Sequence, residues 1–285
     1  MVANAVRAED DATTPTGPIA GLTGAAAVRE HRAANERFHA MLEPTRLEVA
    51  QRLAQVGATE PVPPFFRAAY RLPDHVVALT VPEFDFPRAT PPPTLVYAGI
   101  LPPRPARDRR KPDWWDELDS DRPVVVVTQG TLANADLGQL IEPALRGLAD
   151  QDVLVVAALG RDPAELRVTL PANARVAEYV PFDELLTRAD VMITNGGAGG
   201  TQLALAAGVP LVVCGTTEEK PLNAARVAYH RVGLDLRTSN PSPERLREAV
   251  GRILADPSYR EAARRMVAAY AGYEPIGTVH RLVTG

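Results

Sequence analysis

The stretch Val191-Met192-Ile193-Thr194-Asn195-Gly196-Gly197-Ala198-Gly199-Gly200-Thr201 decides how this chain reads. Val191 to Thr194 is a short β-branched run, and the residues from Thr201 to Ala207 form helix readily. Between them lies a turn holding four glycines. Glycines let backbone approach a ligand closely, and the unpaired N–H groups at a helix N-terminus attract phosphate. Four glycines followed by Thr201 favour a phosphate-binding turn over a plain strand-to-helix connection.

Outward from that stretch the same alternation repeats. Short apolar runs at Val124 to Thr128, Val153 to Ala157, Arg175 to Val180 and Leu211 to Val213 read as strands. Helical segments separate them at Leu137 to Ala149, Asp183 to Arg188, Thr201 to Ala207 and Leu222 to His230. Nearly continuous hydrophobic strands are buried on both faces, so the pattern predicts a doubly wound α/β domain with a parallel sheet from about Pro123 onward. Ser242-Pro243-Glu244 opens a further helix, and Asp256-Pro257 breaks the tail into two.

Upstream the character differs. Of 27 prolines, many crowd between Pro61 and Pro112, where they favour extended connections over helix or central strand. Ala25 to Val56 reads as helix, with Pro44 expected to separate two helices. Before Pro123 only Val76 to Thr80 reads as a strand, and no sheet is evident.

Composition sets outer limits. The 285 residues are 46% hydrophobic, with 31 Lys and Arg against 35 Asp and Glu, a formal net charge of −4. That length and apolar fraction support a folded core. The acidic balance gives no electrostatic reason for nucleic acid as partner. No apolar run approaches the roughly 20 residues of a membrane span. The first 18 residues lack the apolar core of a secretory signal, and Cys214 is a lone cysteine. Both point to a cytoplasmic protein without disulfides.

Three further turns lie where strands end. Thr128-Gln129-Gly130-Thr131 offers hydroxyls and amides after the first strand of the domain, the edge at which open α/β sheets bind ligands. Two such turns could grip one diphosphate from two sides. Tyr179, in Glu178-Tyr179-Val180-Pro181, is either a stacking platform for a nucleobase or a buried core tyrosine. Thr217-Glu218-Glu219-Lys220-Pro221 offers acceptors and a cation to sugar hydroxyls or phosphate, or is a solvated loop.

Other chemistries lack their residues. Asp119-Ser120-Asp121 has the spacing of metal-dependent sugar transferases but precedes a strand, and reads as linker. His31 and His39 stand about two helical turns apart, too far to share an ion easily, and no metal site is expected. Neither a nucleophile elbow nor a phosphate loop with its lysine occurs.

Taken together, Thr128-Gln129-Gly130-Thr131, Tyr179-Val180-Pro181, Asn195 to Gly200, Gly208-Val209-Pro210, Thr217 to Pro221 and Asn223 to Val227 resemble the donor domain of family 1 glycosyltransferases, in order and spacing. The likeness is greatest to the macrolide-type UDP-glycosyltransferases. Upstream, Tyr70 to Asp74, Val81 to Arg88 and Tyr97-Ala98-Gly99 resemble the end of that family's acceptor domain. The resemblance implies a GT-B fold: a flexible segment over 1–21, a partial acceptor-side domain over 22–100, a linker over 101–122, and one complete Rossmann-like, nucleotide-sugar-binding domain over 123–285.

Carried onto these positions, the resemblance has Tyr179 stack on uracil while the Val180 backbone pairs with it. Thr128, Gly130 and Thr131 face the diphosphate from one side, and Asn195 with the amides of Gly197, Gly199, Gly200 and Thr201 from the other. Glu219 and Lys220 stand where many members read sugar hydroxyls with Asp and Gln. Two positions depart from the pattern. Asn195 replaces a common histidine, and Leu203 stands where a glutamate often holds the ribose, which shifts that role toward Gln202.

The implied reaction is an inverting, metal-independent transfer of a hexose from a UDP- or dTDP-sugar to a hydroxyl of a small natural-product acceptor, with no cofactor. No residue here matches the family's early histidine base. Homo-oligomerisation or a complementing N-terminal half is a further implied possibility. A non-catalytic nucleotide-sugar-binding module stays open beside it, as does an NAD-dependent oxidoreductase, since Glu218 and Glu219 follow the glycine turn by about 20 residues.

Overall fold

A computed structural model describes residues 2–3, 24–64, 67–68, 70, 72–88, 91–102, 110–130 and 134–285. Two compact units divide the chain, one of residues 1–99 with 273–285 and the other of 100–272. The sequence reading counts 273–285 with the donor domain and 101–122 as linker. The expected flexible segment over 1–21 lies almost wholly outside the described residues.

The second unit holds a six-stranded sheet among the described residues. Its strands are β4 (Val124–Thr128), β5 (Leu154–Ala158), β6 (Ala174–Ala177), β7 (Val191–Thr194), β8 (Leu211–Val213) and β9 (Gly233–Asp235). Their order is β6-β5-β4-β7-β8-β9, and all neighbours are parallel. The β-branched runs explain the central strands: β4, β5, β7 and β8 are buried along their whole length. β9 escapes the sequence reading because Gly233-Leu234-Asp235 has no β-branched residue. It pairs so closely with β8 that a Cβ on Gly233 would lie 2.0 Å from the Leu211 carbonyl oxygen.

Chain order reverses direction between β4 and β7, which makes their carboxyl ends the topological switch point where doubly wound sheets bind ligands. Helices α2 (Ile141–Leu148), α3 (Phe182–Leu186), α4 (Ala198–Ala206), α5 (Lys220–Tyr229), α6 (Pro243–Ala255) and α7 (Pro257–Ala271) complete the unit. The expected punctuation of the tail is present. The Ser242 side chain caps α6 by accepting from Arg245 N at 3.3 Å, and Asp256 caps α7 by accepting from Ser258 N at 3.0 Å.

Residues 110–122 are fastened to this unit. Glu117 forms a two-pronged ion pair with Arg175 on β6 (2.6 and 2.7 Å), and Lys111 pairs with Glu184 at 2.8 Å. Asp119 of the Asp-Ser-Asp triplet pairs with Arg188 at 2.9 Å.

In the first unit two expectations are corrected. A three-stranded parallel sheet is present, with β1 (Val2–Ala3), β2 (Val76–Ala78) and β3 (Leu95–Tyr97). Three-residue strands among prolines leave too little periodicity to read. The proline-rich span after β2 is ordered around buried Asp85, which accepts from Arg88 Nε (2.9 Å) and Nη2 (2.7 Å), Tyr97 OH (2.7 Å) and Phe86 N (2.9 Å). Burial, then the nearby Asp85 carboxylate, pushes the Tyr97 hydroxyl up to about 12, so it stays a donor.

The second correction concerns α1 (Gly24–Gln55), which runs through Pro44 as one helix. Proline removes a single helical bond, and good helix formers on both sides, with Arg46 fixed to Glu43 and to the Val62 carbonyl, carry the helix past it. α8 (Pro275–Thr284) also belongs to this unit. Gly99 has φ 76°, and a Cβ there would lie 2.5 Å from Tyr273 Cβ, so only glycine lets the residues leading into α8 approach.

Candidate functional site

At the switch point, Thr128 and Thr194 are register partners, so the turns after β4 and β7 leave the sheet at the same level. Each is shaped locally. Gly130 has φ 73° and donates its N–H to Thr128 Oγ1 at 3.1 Å. Gly196 has φ 87° and donates to Thr194 Oγ1 at 3.2 Å. A Cβ on Gly196 would lie 2.7 Å from Val213 Cγ1, so both backbone sign and space demand glycine. Thr131 lies outside the described residues.

Asn195 joins the two turns. Its Nδ2 donates to the Gln129 carbonyl at 2.5 Å, and its Oδ1 accepts from Gly197 N at 3.3 Å. With both ends of its amide engaged, Asn195 holds the cleft together where the sequence reading has it facing a diphosphate. Gln129, which sequence reasoning passed over, is 2% exposed and fixes the first turn to α2: Oε1 accepts from Ile141 N at 3.2 Å and Nε2 donates to the Asp136 carbonyl at 3.0 Å. Its position between two noted turn residues was the only signal. Asn223 does similar work from α5, donating to the Gly196 carbonyl at 2.9 Å.

At the start of α4 the expected amides divide into two sets. Gly197 N is taken by Asn195, and Thr201 N by the Gly197 carbonyl at 3.1 Å. Thr201 is fully buried, so neither its amide nor its side chain faces the cleft. The amides of Ala198, Gly199 and Gly200 remain, those an α-helix leaves without an internal acceptor. Gly199 is exposed and has open space where a side chain would stand. These three N–H groups and the positive end of α4 present the kind of donors that attract an anion.

Tyr179 is 65% exposed, which settles the alternative left open by sequence: it is not a core residue. It follows β6 at the same carboxyl edge, and the Val180 N–H and carbonyl beside it have no hydrogen bond among the described residues. Gln202 is directed elsewhere. It is buried, and its Oε1 accepts from Tyr270 OH of α7 at 3.2 Å, which places its amide between helices.

Beyond β8, Lys220 is buried at the start of α5 and Glu219 is partly exposed. Lys220 pairs with Glu218, and its Nζ lies 3.5 Å from Thr217 Oγ1. Glu218, the acid considered for a ribose in the oxidoreductase reading, is thus engaged by the lysine. Cys214 lies beneath, its thiol pKa pushed well up by burial, chemically a quiet core residue. In the first unit, His31 on α1 is 5% exposed with no partner for either ring nitrogen among the described residues, and burial lowers its pKa.

Residues 142–283 match the family described as erythromycin biosynthesis protein CIII-like, C-terminal domain. The chain is 45% identical over 221 residues to 4'-demethylrebeccamycin synthase of Lentzea aerocolonigenes, covering 77% of this chain and 52% of that protein. It is 34% identical over 254 residues to UDP-glycosyltransferase 2 of Phaeomoniella chlamydospora, covering 87% and 56%. The solved structure of CalG4, the calicheamicin glycosyltransferase, superposes with a TM-score of 0.66 at 28% identity, covering 86% of this chain and 59% of that one. The chain thus spans about half the length of the relatives it matches. With switch-point geometry, motif order and these likenesses in agreement, the chain belongs to the macrolide-type family 1 glycosyltransferases of the GT-B fold.

Proposed function

We propose that this chain binds a UDP- or dTDP-sugar and serves its transfer, with inversion, to a hydroxyl of a small natural-product acceptor. The observation that carries this reading is the Asn195 clasp, which sets the two turns side by side at the switch point under the three open amides of α4. The departing diphosphate gathers negative charge as the sugar leaves. Amides already oriented at that place stabilise the charge without reorganising, the form of electrostatic help that lowers barriers most.

The spacing across the sheet suits the rest of a nucleotide. Tyr179 stands after β6, two strands from β4, a distance of about 10 Å at normal strand separation. That is room for a ribose between a base stacked on Tyr179 and a diphosphate at the turns. Glu219 and Lys220, beyond β8 on the other side, then face the sugar. Relatives named glycosyltransferases support this reading over the oxidoreductase. So does position, since a dinucleotide turn follows the first strand of its unit and this one follows β7.

Calorimetric titration with UDP, dTDP and NADH tests the site. Saturable binding of UDP or dTDP with none of NADH is expected, and the reverse order removes the proposal. Formation of a glycosylated product by the isolated chain separates a transferase from a binding module.

A further inference from the structure

Among the described residues, Lys220 is the one charged side chain lining a small cavity at the carboxyl edge of the sheet. The cavity holds about 40 Å³, and its other polar walls, Gln129, Gln139, Asn195, Thr217 and Ser239, are neutral. The volume suits a few water molecules or the head of a ligand, not a whole sugar. The lysine side chain is only 7% exposed, whereas that of Glu218, its counter-ion, is 65% exposed. Glu218 also holds φ 57°, a left-handed conformation that a glutamate rarely adopts.

We propose that the Glu218 carboxylate stands in for an acidic group of the donor, and that the sugar this site takes carries a carboxylate, as a hexuronic acid does. The inference rests on the reading of Lys220 as a donor-site residue. A buried ammonium needs an anionic partner, because losing it leaves an uncompensated charge in a poorly solvated place. A neutral sugar hydroxyl cannot replace Glu218 in that role. A ligand carboxylate can, leaving the charge balance of the cavity unchanged, while the exposed Glu218 returns to water and to a relaxed backbone. Exchange of one carboxylate for another therefore favours an acidic sugar over its neutral counterpart, and Glu218 closes the site when no such sugar is bound.

The test is calorimetric titration of the full chain with UDP, UDP-glucose and UDP-glucuronate, whose ratio of affinities does not depend on base preference. UDP-glucuronate is expected to bind about tenfold tighter than UDP-glucose. Glu218→Gln removes the competing carboxylate on an exposed residue, and should widen that preference. Lys220→Met should abolish it. Equal binding of the two sugars by the unaltered chain, with UDP itself bound, overturns the inference and leaves the donor site standing. A narrower preference in Glu218→Gln overturns it as well. Failure of UDP, dTDP and both sugars to bind overturns the donor-site reading, and this inference with it.

Discussion

Asn195 Nδ2 donates to the main-chain carbonyl of Gln129 at 2.5 Å, across a separation of 66 residues, while its Oδ1 holds the Gly197 amide. One side chain thereby fixes the gap between the turns after β4 and β7. In Asn195→Ala both backbone groups lose their partner, and stability should fall by about 1–3 kcal/mol. In Asn195→Asp a carboxylate faces the Gln129 carbonyl, and nucleotide affinity should drop further than in the alanine variant. Urea denaturation and calorimetry read the two effects separately.

Gly199 and Gly215 separate site from scaffold. A Cβ on Gly199 meets nothing within 4 Å, so Gly199→Leu should fold normally and obstruct the amides of α4, with at least about a tenfold loss of nucleotide affinity. A Cβ on Gly215 would lie 2.0 Å from the Asn195 carbonyl oxygen. Gly215→Ala should therefore yield little folded protein, seen as lost solubility and circular dichroism signal. Unaltered nucleotide binding in folded Gly199→Leu would disprove the placement of the diphosphate.

Tyr179 projects into solvent, so its removal should leave stability within about 0.5 kcal/mol. If a base stacks on it, Tyr179→Ala should weaken nucleotide binding by about 1–3 kcal/mol and Tyr179→Trp should retain it. Thermal denaturation with and without UDP distinguishes the two variants.

His31 is buried without a partner among the described residues, and its lowered pKa means that the folded chain binds fewer protons there than the unfolded chain. Stability from this residue is thus complete above the unfolded value near 6.5 and declines as pH falls below it. His31→Leu should be more stable than the parent by about 1 kcal/mol at pH 7. The gap should widen at pH 5, measured by denaturant midpoints at the two pH values. A gap that narrows on acidification would contradict the burial effect.

Asp85 and Arg88 have side chains 4% exposed and pair at 2.7 Å. Arg88→Met takes the guanidinium away from a buried carboxylate, and should destabilise the first unit by about 3–5 kcal/mol. The denaturant midpoint should shift, with β2 and β3 losing protection in hydrogen exchange.

The sequence by itself determined five of the six strands described in the second unit, and the ligand edge. Continuous β-branched runs at Val124 to Thr128 and Val191 to Thr194 can only be strands buried on both faces, and Gly196 to Gly200 marks the turn between strand and helix. These are local signals, set by propensity and by which residues tolerate a left-handed backbone. Only tertiary structure decided what each site residue does, because hydrogen-bond partners lie far apart in the chain. Asn195 became a clasp through a carbonyl 66 residues away, Thr201 turned inward, Gln202 went to Tyr270, and Gln129 acquired a role no motif announced. The same holds for the first unit, where strands of two or three residues carry no periodicity. There the sheet exists because parallel neighbours supply hydrogen bonds, and because buried Asp85 gathers the proline-rich chain around Arg88 and Tyr97.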